Sequence, residues 1–135
     1  MEQKPDHATP PKEECETHIA AVRDSLYVIG GKWKLPIVSA LKDGPLRFGE
    51  LQKILEDITP KILSKELKEL ELNEFITRKV YPTTPVTVEY ALTEYSRTLG
   101  KVVLALSEWG TQHKQRLKEC SKARRTIAKS AKTPA

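Results

Sequence analysis

The chain has 135 residues, a formal net charge of +5, two cysteines and 39% hydrophobic residues. One compact domain with terminal extensions is expected, because domains typically need about 100 to 150 residues. No run approaches the roughly 20 consecutive apolar residues of a membrane-spanning helix, and residues 1–14 lack the apolar centre of a signal peptide. Two cysteines fit a reducing compartment better than a disulfide scaffold. We therefore expect a cytoplasmic protein with no membrane partner.

The positive charge is concentrated towards the C-terminus. From Lys114 onward the chain contains eight basic residues and one acidic residue, Glu119. This segment therefore has a net charge of +7, and residues 1–113 have a net charge of −2. Residues 119–135 are predicted to be a basic tail too polar to pack, and residues 1–14, with three prolines, a disordered lead-in. The tail either adds non-specific affinity for phosphates or is simply a soluble extension. The folded domain is expected between residues 15 and 118.

Two helices are predicted first in chain order. Apolar residues follow the helical period from about Thr17 until Gly30-Gly31 stops the run: Ile19, Val22, Leu26 and Ile29. A second helix is predicted from about Trp33 to Lys42, because its apolar residues keep the same period and Asp43-Gly44-Pro45 then terminates it.

A helix-turn-helix is predicted next. A short helix from Phe48 to Leu55 is separated by a tight turn from a longer one that opens at Thr59-Pro60. Thr59 supplies an N-cap, and Pro60 a preset first helical residue. Three leucines and three lysines occupy different faces of the second helix: Leu63, Leu67 and Leu70 against Lys61, Lys65 and Lys68. A helix that buries one stripe and presents a row of ammonium groups can lie in the major groove of duplex DNA.

Two strands follow this motif. Phe75 to Tyr81 and Val86 to Thr93 both alternate as strands do, and the loop Pro82-Thr83-Thr84-Pro85 joins them. Its two prolines restrict the loop backbone. A two-stranded ribbon after a helix-turn-helix is a wing, so the predicted fold class is α+β, mainly α, a winged helix-turn-helix with added N- and C-terminal helices.

The lysine row also permits a simpler interpretation. Glu66, Glu69 and Glu71 are interleaved with the lysines at spacings that allow pairing, which is typical of a solvated helix face. In that case the fold would be a protein-interaction module that binds no DNA. The salt dependence of duplex binding separates the two alternatives.

The longest helix is predicted after Thr93, which is placed to act as its N-cap. This helix is about 25 residues long, and its apolar side is longer than the core of a domain of this size can cover. The apolar residues on that side are Leu99, Val102, Val103, Leu106, Trp109 and Leu117. The excess apolar surface predicts a dimer interface shared with the first helix. The residues assigned to that interface are Ile19, Val22, Leu26, Leu106 and Trp109.

Six short pieces stand in a fixed order: Gly30-Gly31-Lys32-Trp33, Arg47-Phe48-Gly49-Glu50-Leu51, Ile58-Thr59-Pro60-Lys61-Ile62-Leu63, Arg78-Lys79-Val80-Tyr81-Pro82, Val88-Glu89-Tyr90-Ala91-Leu92-Thr93-Glu94 and Trp109-Gly110. Together they resemble the HxlR family of winged-helix transcriptional regulators over about residues 15–113. The resemblance implies a homodimer, formed by the first and last helices, with two recognition helices presented to a palindromic operator. Glu74 departs from the pattern, because the family usually carries Gly after the recognition helix.

The predicted partner is therefore double-stranded DNA. Recognition-helix side chains are expected in the groove and on phosphates, and wing residues on the flanking backbone. The candidate contacts are Arg47, Thr59, Lys61, Ser64, Lys65, Lys68, Lys79, Thr83 and Thr84. For Arg47, which precedes the first helix of the motif, a phosphate contact and a structural ion pair both remain open.

The two cysteines raise the question of an effector. Cys15 stands where many members of the family carry a cysteine, which in some serves as a thiol sensor, although its neighbours Glu13, Glu14 and Glu16 disfavour a thiolate. If the first helix packs beside the end of the long helix across a dimer, Cys15 and Cys120 approach each other and make a redox-sensing version of the regulator. Otherwise both thiols are inert. The identity of the effector, small molecule or oxidant, stays open.

No metal site, cofactor or enzymatic activity is predicted. Cys15 and His18 form one loose pair, whereas metal-ligand clusters normally bring two tight pairs. The chain has no nucleophile elbow, no phosphate-cradling glycine loop and no helix-borne histidine pair.

Overall fold

The computed structural model describes residues 12–131, and the side chains of residues 13–128. The predictions for residues 1–11 and 132–135 lie outside the described residues. The chain divides into two compact units, with the boundary after Thr93. The first unit holds α1 (Lys12–Ile29), α2 (Lys34–Ala40), β1 (Leu46–Arg47), α3 (Phe48–Leu55), α4 (Pro60–Leu72), β2 (Ile76–Tyr81) and β3 (Thr87–Leu92). The second holds a short 3₁₀ helix (Tyr95–Leu99) and α5 (Gly100–Ala131).

The first two helices differ from their predicted bounds. α1 begins at Lys12 rather than near Thr17, with Glu13 and Glu14 in its first turn, where carboxylates stabilise the positive end of the helix dipole. It is followed by Gly31, whose φ of +95° is the left-handed conformation that glycine adopts without strain. α2 is shorter than predicted and stops at Ala40, after which the chain turns.

The helix-turn-helix is confirmed. α3 spans the predicted residues, and α4 begins at Pro60 behind the predicted cap, where the Thr59 hydroxyl accepts a hydrogen bond of 3.2 Å from the Ile62 N–H. At the other end of α4, Glu74 has φ +64° and the Phe75 N–H donates to the Leu70 carbonyl at 3.0 Å. This bond belongs to a Schellman-type helix end, which requires a left-handed residue and favours glycine there.

A three-stranded antiparallel sheet forms the wing, in the order β1-β3-β2. β2 and β3 confirm the predicted strands, and Lys79 lies opposite Glu89 in their register. β1 was not predicted, because a strand of two residues is too short to show a period. It pairs with β3 and places Arg47 on the other side of Glu89.

The core lies in the first unit, between α2, α3, α4 and the start of the wing. The leucine stripe of α4 is buried as predicted, with Leu63 and Leu70 at 0% exposure. The other buried apolar side chains of this unit come from α1, α2, α3, the turn before α4 and the start of the wing: Ile29, Ile37, Val38, Leu41, Leu51, Ile58, Phe75 and Ile76. Burying this face fixes which way the other faces of α4 point.

The prediction that Thr93 caps the long helix is wrong. The Thr93 hydroxyl donates a hydrogen bond of 2.6 Å to the Glu74 carbonyl, so it joins the end of the wing to the end of α4. The 3₁₀ helix comes between Thr93 and Gly100, where α5 begins. α5 then continues to Ala131, so the segment predicted as a basic tail is helical up to that residue. Within residues 12–131, no helix is long and apolar enough to cross a membrane.

Candidate nucleic-acid interface

The solvent face of α4 carries the predicted contact residues. Thr59, Lys61, Ser64, Lys65 and Lys68 are all exposed. The leucines that point the other way are buried, which orients the lysine row outward from the core. Among residues 13–128, no ion pair involves any of the three lysines. The face therefore offers three ammonium groups to an anionic partner.

Two of the interleaved glutamates, Glu66 and Glu69, form ion pairs with Lys34 of α2, whereas the sequence suggested pairs with the lysines of α4. Lys34, in the first turn of α2, places its Nζ 2.7 Å from Glu66 Oε2 and 2.5 Å from Glu69 Oε2. The Lys34 side chain is 12% exposed and that of Glu66 16%. Two of the three α4 glutamates thus point back towards α2 instead of forming ion pairs along the helix with Lys61, Lys65 or Lys68.

The contacts among Lys34, Glu66 and Glu69 shift the pKa values of Lys34 and Glu69. Burial lowers the pKa of Lys34, but the hydrogen bonds and the charges of Glu66 and Glu69 outweigh that effect and raise it above 10.5. The hydrogen bond from Lys34 lowers the pKa of Glu69 below 4.5, and the more distant charge of Lys65 adds to the same direction. Both shifts favour the charged forms of Lys34 and Glu69 at neutral pH.

Sequence reasoning missed Lys34. Its partners lie 32 and 35 residues further along the chain, and no helical or strand period links positions that far apart. The only local sign was the presence of glutamates between the lysines of α4. Only the packing of α2 against α4 supplies the cation.

The wing presents the remaining predicted contacts. Lys79 is exposed on β2, with its Nζ 5.0 Å from the centre of the Tyr81 ring. Thr83 and Thr84 are exposed at the tip. The Thr83 hydroxyl donates to the Pro85 carbonyl at 2.8 Å and lies 3.0 Å from the Thr87 hydroxyl oxygen, so the tip is held by its own hydrogen bonds.

Arg47 lies at the junction of β1 and α3. Its side chain is exposed, and its backbone N–H donates to Glu50 Oε1 at 3.0 Å. In the described part of the chain, Arg47 forms no ion pair. Of the two alternatives for this residue, the structure gives no support to the structural ion pair.

The residues assigned to a dimer interface are all exposed. On α1 they are 57–61% exposed, and on α5 Leu106 and Trp109 are 51% and 62% exposed. The Trp109 ring stacks on His113 with the ring centres 4.9 Å apart. Each of the two terminal helices thus carries apolar surface that is not covered by the described residues.

The thiols and possible metal ligands lie away from α4 in sequence. Cys15 is partly exposed on α1, and Cys120 is exposed on α5. Across the described residues, no group of three or more His, Cys, Asp or Glu side chains is arranged to hold a metal ion.

A helix-turn-helix with a capped, cationic second helix and a following β-ribbon defines a winged helix-turn-helix protein. Residues 28–118 match the family described as HxlR-like helix-turn-helix. The chain therefore belongs to this family of transcriptional regulators, as the six sequence pieces predicted. The match ends at residue 118, whereas α5 continues to Ala131.

Individual relatives agree with this assignment. YdeP of Bacillus subtilis, an HTH-type transcriptional regulator, is 42% identical over 104 residues, which cover 77% of this chain and 81% of YdeP. YodB of the same organism is 41% identical over 85 residues, which cover 63% of this chain and 76% of YodB. The solved structure of the redox regulator HypR in its reduced form has a TM-score of 0.69 at 41% identity, covering 73% of this chain and 98% of that chain.

Proposed function

We propose that this regulator binds duplex DNA as a homodimer, with α4 of each subunit in the major groove of one half of a palindromic operator. The observation that carries the proposal is the lysine face of α4, exposed and free of ion pairs to Glu66 and Glu69. Lys61, Lys65 and Lys68 then contact phosphates or base edges, and Ser64 and Thr59 lie beside them. Arg47, Lys79, Thr83 and Thr84 are the proposed contacts to the flanking backbone.

Dimerisation follows from the terminal helices. Ile19, Val22 and Leu26 form an apolar row on α1, and Leu106 and Trp109 lie on the exposed side of α5. An exposed apolar surface of this kind is typical of a protein–protein interface. In a two-fold dimer the same patch of each subunit is buried, and the bound half-sites lie about 34 Å apart or at a multiple of that distance.

The experiment for DNA binding is selection of bound fragments from a random duplex pool, followed by titration of the selected duplex at several salt concentrations. The salt slope is the slope of the logarithm of the binding constant against the logarithm of the salt concentration. We expect one of two results for each of the variants Lys61→Ala, Lys65→Ala and Lys68→Ala. Either the magnitude of the salt slope falls by about one unit, or discrimination of about 1 to 3 kcal/mol is lost at one base position. Lys42→Ala, an exposed lysine outside the motif, is the matched control. Unchanged titrations for all three variants would mean that the fold serves as a protein-interaction module instead.

A thiol-responsive version of the regulator is a second candidate, because HypR is described as a redox regulator. In it, peroxide would oxidise Cys15 of one subunit and Cys120 of the other to a disulfide, and would itself be reduced to water as the two thiols lose two electrons and two protons. Non-reducing electrophoresis should show a covalent dimer that is lost in both Cys15→Ser and Cys120→Ser. A band that persists in either variant rules out this pair.

A further inference from the structure

Lys34 ties α2 to α4 through Glu66 and Glu69 at 2.7 and 2.5 Å. Glu69 follows Lys65 by four residues, a separation at which side chains on one helix reach each other. The attraction of Lys65 for the Glu69 carboxylate is already present in the structure, but it is weaker than that of Lys34. Two cations thus compete for one carboxylate, and the cation outside α4 holds it.

We propose that Lys34 is a positioning residue for DNA binding: it holds Glu66 and Glu69 against α2, so that the lysine face of α4 keeps its positive charge. The inference rests on the proposed function, since it concerns the same face. Without Lys34, the charges of the three α4 lysines and of Glu66, Glu69 and Glu71 cancel. Glu69 would then pair with Lys65, four residues earlier, and the Glu66 carboxylate, without a cation at helical spacing on α4, would repel phosphates.

The test compares four variants with the wild type on one selected duplex. Lys34→Met should lower the salt slope by about 0.9, the value expected for the loss of one phosphate contact. Adding Glu66→Gln and Glu69→Gln to Lys34→Met should restore the slope, because no uncompensated carboxylate remains. The double variant Glu66→Gln/Glu69→Gln should bind at least as tightly as the wild type. Lys32→Met, which removes an exposed lysine two positions earlier, is the matched control and should change the slope less.

Restoration by the triple variant separates electrostatic positioning from a purely structural ion pair, since the triple variant lacks the ion pair as well. A wild-type slope in Lys34→Met, or a triple variant as weak as Lys34→Met, overturns the inference alone. Absence of duplex binding by the wild-type chain overturns the proposed function, and this inference with it.

The C-terminal half of α5 carries a second, independent feature. At about 100° per residue, four of its basic residues fall within an arc of about 80°; this basic stripe consists of Lys114, Lys118, Lys122 and Arg125. All four are exposed, and within residues 13–128 none forms an ion pair. Glu119 lies outside the arc and accepts a hydrogen bond from Gln115 at 3.3 Å.

The charges of the basic stripe repel one another, because three of its neighbouring pairs are separated by three or four residues. A polyanion relieves this repulsion. The stripe covers about 16 Å, and duplex DNA presents one phosphate charge per about 1.7 Å of its axis. We infer that the basic stripe is a second DNA-contacting surface, which binds the phosphate backbone without reading sequence. This inference also rests on the proposed function.

A matched pair of variants tests it. Lys118→Gln/Lys122→Gln removes two charges from the stripe, whereas Arg116→Gln/Arg124→Gln removes two charges from the opposite, apolar side of the same helix. On a duplex of random sequence the first variant should lower the salt slope by about 1.8, and the second should not change it. Equal slopes for the two variants overturn the inference while leaving α4 as the DNA-binding element. If the wild-type chain binds no duplex, the proposed function fails too.

Discussion

The core of the first unit and the two terminal helices both carry apolar residues at helical spacing, with opposite outcomes. Leu63, Leu67 and Leu70 on α4 are at most 2% exposed, whereas Leu26 on α1 is 61% exposed and Trp109 on α5 62%. The α4 stripe finds partners on α2, α3 and the wing within the chain. Among the described residues, the exposed apolar side chains of α1 and α5 find no such partners. An apolar stripe therefore predicts that a helix needs a partner, but not whether the partner belongs to the same chain.

The most direct test of this difference truncates one leucine of the buried α4 stripe and one leucine of the exposed α1 stripe. Leu67→Ala should lower the free energy of unfolding by about 2 to 5 kcal/mol, because it leaves a cavity in a closed core. Leu26→Ala should change it by no more than about 0.5 kcal/mol at concentrations where the protein is monomeric. Urea unfolding of both variants measures the difference. Equal losses would mean that α1 packs into the core of its own chain.

The next largest effect is expected at the α5 surface. Trp109→Ala should weaken the dimer by at least about 2 kcal/mol, because buried tryptophans often dominate interface energies. The thermal midpoint of the dissociated subunit should stay close to that of the wild type, since the Trp109 side chain is 62% exposed. Sedimentation equilibrium gives the dimer constant. A wild-type constant for Trp109→Ala and Leu106→Ala alike would place the interface elsewhere.

A smaller effect is expected at the start of α4. Thr59→Ala should cost about 1 kcal/mol of stability, because the Ile62 N–H loses its acceptor. Thr59→Ser keeps that acceptor and serves as the control. Urea unfolding of the two variants separates capping from the loss of a methyl group, and equal destabilisation by both would argue against the cap.

A substitution just after the end of α4 is expected to increase the stability of the protein. Glu74 has φ +64°, a conformation that costs a residue with a side chain more than it costs glycine. Glu74→Gly should therefore raise the free energy of unfolding, by less than about 1 kcal/mol because glycine also gains freedom in the unfolded chain. Glu71→Gly, within the helix, is the control and should be destabilising. A loss in Glu74→Gly would show that the glutamate side chain contributes more than its backbone conformation costs.

The smallest expected effect concerns pH. The pKa of Glu69 is lowered on folding, so its contribution to stability is present above pH 4.5 and is lost as the pH falls through the lowered value. The pKa of Lys34 is raised, so its contribution is present below pH 10.5 and is lost at higher pH. The difference in thermal midpoint between wild type and Glu69→Gln should narrow as the pH falls below 4.5. A difference that stays constant down to pH 3 would contradict the ion pair.

Much of the candidate site followed from local patterns. The Thr59 cap, the buried leucines of α4 and the exposed lysines depend on residues within one or two helical turns of each other, and the structure confirms all three. The predicted start of α1 and the predicted role of Thr93 were wrong, because these features are not decided by local patterns alone. Helix ends depend on competing hydrogen bonds, and the Thr93 hydroxyl found its acceptor at Glu74, nineteen residues earlier.

By itself, the sequence determined the order of the elements, the helix-turn-helix with its wing, the family, and which face of α4 is cationic. Each of these depends on period, capping or short motifs, which act over a few residues. The tertiary structure alone decided that Glu66 and Glu69 pair with Lys34, and that Leu46 and Arg47 form a strand beside β3. Such contacts join residues 32 or more positions apart, and only packing of the whole unit brings them together.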